Sequence, residues 1–288
     1  MKITVHVPAK INLALDIVGK REDGYHLVQM VMQSVNLYDS VIMESDSSKG
    51  IRLDSNIEIV DNIEKNTAYR AAVEFFKDTN IENSGVKINL KKRIPMQAGL
   101  AGGSADAAGV IIGLDRLFNT NLPKHKMLEI GARVGADVPF CIIGGTMLSE
   151  GIGTTLEPIA VLPDCHIVLY KPPIGISTKE AYEKSDTVGY MELTKVSEVV
   201  NSIYNGDLKE ISSLIFNRFE YVMNVDEIIR IKEEMKKLGA LNACMSGSGP
   251  TVFGIFDNKA KAEHCFYELK KENKETFLCK PTNGCIIE

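Results

Sequence analysis

The sequence predicts an α+β protein built in two parts. Three observations carry that expectation. Alternating apolar runs open the chain, prolines punctuate its middle, and the last third reads strand, helices, strand, strand, helix, strand. A length of 288 residues agrees with two parts, since domains average roughly 150 residues.

Residues 3–7 and 10–18 read as strands. In the second run Ile11, Leu13, Leu15 and Ile17 alternate with Lys10, Asn12, Ala14 and Asp16, the period of two that marks a half-buried strand. Pro8 separates the runs and marks an edge or a bulge, because it has no N–H for a ladder. Lys20-Arg21-Glu22-Asp23-Gly24 is polar and closes on Asp-Gly, a strong turn signal. Strands are also expected over 27–37, 40–45 and 86–90, and helices over 66–77, 104–118 and 124–134. Pro158, Pro163, Pro172 and Pro173 set a boundary near 155–165, which divides the chain into 1–160 and 161–288. Beyond it lie a strand at 166–170, helices over 196–204, 207–221 and 225–238, and strands at 241–245 and 251–256. A helix over 258–272 and a strand at 276–280 follow. That order suits a split βαβ, ferredoxin-like layout.

Composition removes several classes of function. Charged residues are 25% of the chain and apolar ones 44%, a globular balance rather than a disordered one. The formal net charge is −5, whereas a protein that grips nucleic acid usually carries a basic surface. The densest basic run, Lys91-Lys92-Arg93, is too short for such a footprint. The longest apolar run, Ala107 to Leu114, falls far short of the roughly 20 residues that span a bilayer. The start, MKITVHVPAK, has no basic segment followed by an apolar one, so it does not read as a signal peptide. Six cysteines (141, 165, 244, 265, 279, 285) sit singly, as buried thiols in a reducing compartment do. The expectation is a cytoplasmic protein with no nucleic-acid or membrane partner.

The most informative segment runs from Pro95 to Ala108. Gly99, Gly102 and Gly103 let the backbone bend and approach closely, and the segment leads straight into a helix. A helix N-terminus presents unpaired N–H groups and the positive end of its dipole, which together suit a phosphate. The same glycines would also suit a packing turn, and the loop alone does not separate the two. Neither the P-loop nor the dinucleotide-binding pattern is present. A second cluster, Ser246-Gly247-Ser248-Gly249-Pro250, reads as a hairpin turn or as a second wall of the same site.

Lys10 lies on the polar face of its strand beside Asn12, either solvated or aimed into a cleft. Asp137 stands in Gly135-Ala136-Asp137-Val138-Pro139-Phe140, as a helix-capping aspartate or a functional one. A Lys–Asp pair converging on a hydroxyl would supply a base and a positive charge. Tyr25 and His26 follow the Asp-Gly turn and could flank a planar ligand or be half-buried. Tyr182, on a short helix opened by Ser177-Thr178, has the same two readings. The histidines at 6, 26, 125, 166 and 264 show no metal-ligand spacing, and no G-x-S-x-G elbow supports a hydrolase.

Taken together, these motifs resemble a known family. Pro95 to Ala108 resembles the phosphate-binding loop of the GHMP kinases. Pro8-Ala9-Lys10-Ile11-Asn12-Leu13, Arg21-Glu22-Asp23-Gly24-Tyr25-His26, the segment Gly135–Phe140 and Met245-Ser246-Gly247-Ser248-Gly249-Pro250-Thr251 are similar to a narrower signature. It belongs to the branch of that family acting on 4-diphosphocytidyl-2-C-methyl-D-erythritol. The resemblance implies a two-domain GHMP kinase fold. Its N-terminal α+β domain would hold a left-handed βαβ unit of the ribosomal protein S5-like type, and its C-terminal domain would be ferredoxin-like.

The resemblance also implies ATP-dependent phosphorylation of the substrate's 2-hydroxyl, a step toward isoprenoid precursors outside the mevalonate route. Lys10 and Asp137 would be the catalytic pair. Pro95, Met96, Gln97, Ala98, Gly99, Leu100, Ala101, Gly102, Gly103, Ser104 and Ala105 would hold the ATP phosphates, with Asn66 near the adenine. Asn12, Tyr25, His26 and Tyr182 would hold the substrate, the two tyrosines stacking on its cytosine. Magnesium is implied by ATP chemistry, with no acidic ligand assignable from spacing. A monomer or weak homodimer is expected. Two rivals stand beside this reading: a GHMP kinase for homoserine or a mevalonate-type alcohol, and a nucleotide-binding protein without turnover.

Overall fold

The computed structural model describes residues 1–58, 62–81, 85–188 and 195–288. The first part of the chain contributes β1 (Lys2–Lys20), β2 (His26–Ser45), β3 (Ile51–Ser55), α1 (Thr67–Thr79), β4 (Val86–Lys91) and α2 (Gly102–Phe118). It continues with α3 (Lys124–Val134), α4 (Val138–Ile143), β5 (Thr146–Glu150) and β6 (Thr155–Pro158). The strands before and after Pro8 prove to be one. Pro8 sits opposite Tyr38 and the register with β2 shifts between Pro8 and Ala9, so a bulge absorbs the missing N–H without ending the strand. The two strands expected over 27–37 and 40–45 likewise form the single β2.

β2 organises the sheet. It pairs along its length with β1, while its start pairs with β5 and its end with β4. β3 and β4 are parallel neighbours joined through α1, and the sheet order is β4-β3 beyond β2. Short β3, β5 and β6 lie outside the expected strands; each is four or five residues long and largely polar, so no apolar run marks them. Against this sheet lies α2, buried over most of its length from Ala105 onward. A methyl at Gly113 would come within 1.8 Å of the Met43 side chain, so glycine there lets the helix axis settle close to the strands. That approach fixes where the helix N-terminus points.

The second part contributes β7 (His166–Tyr170), α5 (Thr178–Ser185), α6 (Val196–Asn205), α7 (Leu208–Leu214), β8 (Phe216–Asn217) and α8 (Arg218–Met223). Then come α9 (Asp226–Lys237), β9 (Asn242–Met245), β10 (Val252–Phe256), α10 (Lys259–Glu272), β11 (Thr276–Cys279) and β12 (Ile286–Ile287). The sheet β11-β7-β10-β9 is antiparallel throughout, the interleaved order of a ferredoxin-like split βαβ.

One expected helix is broken. Residues 207–221 form α7 and α8 with β8 between them, because Phe216 and Asn217 run extended to pair in parallel with Ala14 and Leu15 of β1. β12 adds to the same edge of β1, the one opposite β2. The second half of the chain thus returns to the first sheet twice.

Candidate active site

The site forms where β1, the loop before α2, the start of α4 and the β9–β10 turn meet around a cleft of about 1010 Å³. Lys10 and Asn12 share a face of β1, as strand periodicity requires. The Lys10 ammonium donates to Asn12 Oδ1 at 2.6 Å and lies 3.8 Å from Asp137 Oδ2. Lys10 is only 4% exposed, and a buried ammonium needs an anionic partner. Asp137 occupies the N-cap position of α4, yet its side chain makes no cap hydrogen bond. Its carboxylate is free of the capping role and turns toward Lys10. Its negative charge is felt nearby: burial first, and Asp137 second, push the Tyr182 hydroxyl up to about 12.

The glycine-rich loop leaves the start of α2 open. Gln97, Gly99 and Ala101 all have positive φ, and Ala101 precedes α2 without a side-chain cap. The first N–H groups of α2 are therefore left for another partner. Gly99 is required on two grounds, its φ of +72° and a Cβ position 2.0 Å from the Ser246 carbonyl oxygen. Behind the loop, Lys92 bonds Asp39, Asp106 Oδ2 at 2.6 Å and the Gly102 carbonyl at 3.3 Å. Asp39 also accepts from the N–H groups of Arg93 and Ile94. The Asp106 carboxyl is pushed up to about 7, by burial first, with Lys92 opposing and Asp39 adding to the rise. Asn66 lines the cleft and caps α1, accepting from Ala68 N–H at 2.9 Å. Thr67 Oγ1 donates to the Gly103 carbonyl at 2.6 Å and ties α1 to the loop.

The β9–β10 turn is both a turn and a wall. Ser246 Oγ donates to the Gly99 carbonyl at 2.9 Å, and Ser248 Oγ meets Thr178 Oγ1 at 2.8 Å. Asn217 organises it, donating through Nδ2 to the carbonyls of Met245 and Gly247, both at 2.7 Å. At the outer end, the His26 ring stacks on Tyr182 with centroids 4.7 Å apart, and Tyr182 meets Phe219 edge-on at 5.0 Å. Tyr25 stands apart on the β1–β2 turn, 62% exposed, and makes no ring contact among the described residues.

Of the residues singled out from sequence, Lys10, Asn12, Asp137, the loop and Tyr182 come together, with His26 against Tyr182 and Asn66 at the far side. Tyr25 is on the rim. Sequence reasoning passed over Lys92, Asp106, Asn217 and Thr178. Asp106 lay inside the motif already quoted, three residues past Gly103, whereas Asn217 carries no local signal because its partners are distant in sequence. Among the described residues no group of three or more His, Cys, Asp or Glu is arranged to hold a metal ion, and no helix is long and apolar enough to cross a membrane.

The two-sheet α+β architecture is that of the GHMP kinases. The model of their N-terminal domain matches residues 66–145 and that of their C-terminal domain residues 199–275. A 4-diphosphocytidyl-2-C-methyl-D-erythritol kinase of Clostridium beijerinckii is 46% identical, with 97% of this chain and 99% of the relative covered. One of Lachnoclostridium phytofermentans is 44% identical, with 96% and 97% covered. A crystal structure of 4-(cytidine 5'-diphospho)-2C-methyl-D-erythritol kinase superposes with a TM-score of 0.81 at 29% identity, covering 98% of this chain and all of that one. A homoserine kinase from Cytophaga hutchinsonii follows at 0.80 and 18% identity, which shows the shared fold alone. Within the GHMP kinases, the chain belongs to the 4-diphosphocytidyl-2-C-methyl-D-erythritol kinase family.

Proposed function

We propose that this protein transfers the γ-phosphoryl group of ATP to the 2-hydroxyl of 4-diphosphocytidyl-2-C-methyl-D-erythritol, giving the 2-phosphate and ADP in the cytoplasm. The carrying observation is the Lys10–Asp137 pair, 3.8 Å apart, between an open phosphate loop and an aromatic end. Residues 1–160 supply Lys10, Asp137 and the loop, and residues 161–288 close the cleft with the Ser246–Gly249 turn and Tyr182. Monomer or weak homodimer, the chain holds the whole constellation itself.

In this mechanism Asp137 takes the proton of the 2-hydroxyl as its oxygen attacks the γ-phosphorus and the bond to the β-phosphate oxygen breaks. Lys10 offsets charge on the attacking oxygen and the transferring group, and Asn12 orients both Lys10 and the substrate. Residues Pro95 to Ala105 hold the phosphates through backbone N–H groups, so most of the work is positioning and charge stabilisation. Asn66 uses its carbonyl oxygen as a helix cap, which leaves its amide N–H groups for the adenine. His26, Tyr182 and, from the rim, Tyr25 hold the cytosine. Magnesium would come bound to ATP. It needs few protein ligands because it keeps waters and phosphate oxygens, and the hard oxygens of Ser104 and Asp137 suit it. When bound it would neutralise phosphate charge.

The test is ADP release with ATP, magnesium and the cytidyl substrate, run beside homoserine and mevalonate. Turnover confined to the cytidyl alcohol is expected, and turnover with another alcohol alone discards the cytosine assignment. No ADP with any of the three favours nucleotide binding without catalysis. Asp137→Asn is expected to lose about 10²–10⁴ in kcat while binding ATP as before. Near-normal kcat in that variant removes Asp137 from the mechanism.

A further inference from the structure

One carboxylate ties three elements together at the outer end of the cleft. Asp186, the residue after α5, accepts from His26 Nε2 at 2.7 Å through one oxygen and from Lys20 Nζ at 2.5 Å through the other. Lys20 and His26 are paired across the ends of β1 and β2, and Asp186 also closes α5 by donating its N–H to the Tyr182 carbonyl. His26 is stacked on Tyr182 with the planes 24° apart and has a side chain only 12% exposed. The ring is thus fixed in plane by Tyr182 and in rotation by Asp186.

The chemistry of that contact settles where the imidazole hydrogen lies. The hydrogen bonds from Lys20 and His26 hold the Asp186 carboxyl below the usual carboxylate range. An ionised carboxylate only accepts, so Nε2 carries the hydrogen. In the neutral ring Nδ1 is then an acceptor, and among the described residues it has no partner. An acceptor held in one place discriminates between the two pyrimidines by their exocyclic groups. Cytosine offers an amino donor at C4, whereas uracil offers a carbonyl there, lone pair against lone pair.

We infer that Asp186 is a positioning residue for base recognition: by fixing His26 with Nε2–H toward itself and Nδ1 free, it sets the preference for cytosine over uracil. The inference rests on the assignment of His26 to the cytosine. Asp186 touches neither the base nor the reacting atoms. It acts through His26 and leaves the Lys10–Asp137 chemistry alone.

Steady-state kinetics at pH 8, where an ordinary imidazole is neutral, tests it with the cytidyl substrate and its uridyl analogue. For Asp186→Ala the KM of the cytidyl substrate should rise about tenfold, in keeping with loss of a charged hydrogen bond. The cytidyl-to-uridyl ratio of kcat/KM should fall by about as much, while kcat and the KM for ATP stay within about twofold. Asp186→Asn should recover most of the loss, because its amide oxygen still accepts from Nε2–H. Unchanged KM and base ratio in Asp186→Ala overturn the inference, as does equal damage in both variants, which would make charge on Lys20 the cause. Nitrogen-15 NMR of His26 in the unsubstituted protein is independent of turnover: the Nε2–H tautomer is expected, and Nδ1–H overturns the inference. If the unsubstituted protein phosphorylates neither pyrimidine substrate, the function itself has failed, and the tautomer still decides the Asp186 contact.

Discussion

At the scale of single residues, the site is a balance of charges that burial would otherwise forbid. Lys10 meets Asp137, and Lys92 meets two carboxylates, Asp39 and Asp106. Burial alone would lower the Lys92 ammonium, yet the two carboxylates carry it above its ordinary value. Asp106 is the uneasy member, raised from 3.8 to about 7 with one carboxyl oxygen buried and unpartnered. The folded protein therefore keeps a proton there that the unfolded chain releases between about pH 4 and 7. Stability from this group falls as pH rises through that window and is flat above it. Asp106→Asn, neutral at every pH, should melt like the parent near pH 4 and increasingly higher than the parent toward pH 8. Thermal melts across that range check it, and a gap that does not change with pH contradicts it. Lys10, Asp137 and the loop were legible from residue type and motif. The Asp39–Lys92–Asp106 cluster was not, because its members lie on β2, just past β4 and on α2, and the packing of α2 against β2 brings them together.

At the scale of elements, short connections position the chemistry. Gly99 has a left-handed backbone and a carbonyl within 2.0 Å of where a methyl would sit, so Gly99→Ala must move either the phosphate loop or the β9–β10 turn. A KM for ATP raised about tenfold or more, with a lower melting temperature, is the expected outcome, since backbone strain of this kind costs about 1–3 kcal/mol. An unchanged KM would mean the loop geometry does not set phosphate binding. Asn217 caps α8 through Oδ1 and holds two carbonyls of the turn through Nδ2. Asn217→Ala should cost about 2–4 kcal/mol, read by denaturant unfolding, because buried carbonyls lose their donors. The long strands and most helices were visible in apolar period and turn residues. The break between α7 and α8 was not, since the helical pattern runs through 207–221 and the interruption is imposed by pairing with Ala14 and Leu15.

At the scale of the whole molecule, the two-part plan legible in the prolines is only half of the architecture. β8 and β12 belong to the second part in sequence and to the first sheet in space, and each is two residues long, too short for any periodic signal. Both cover the edge of β1 that β2 leaves open, and an open edge would otherwise invite misassembly. One cooperative calorimetric transition is expected; two separable ones would show that the halves melt independently. A fragment of residues 1–160 should accordingly lack native circular dichroism. The pairing of β12 has a further consequence. Thr4 and Glu288 exchange two backbone hydrogen bonds at 2.9 Å, so these two residues lie side by side on the sheet. A linker of a few residues would splice them, and new ends opened at Gly206, where an added side chain meets nothing within 4 Å, would rearrange the order of the gene while sparing the cleft.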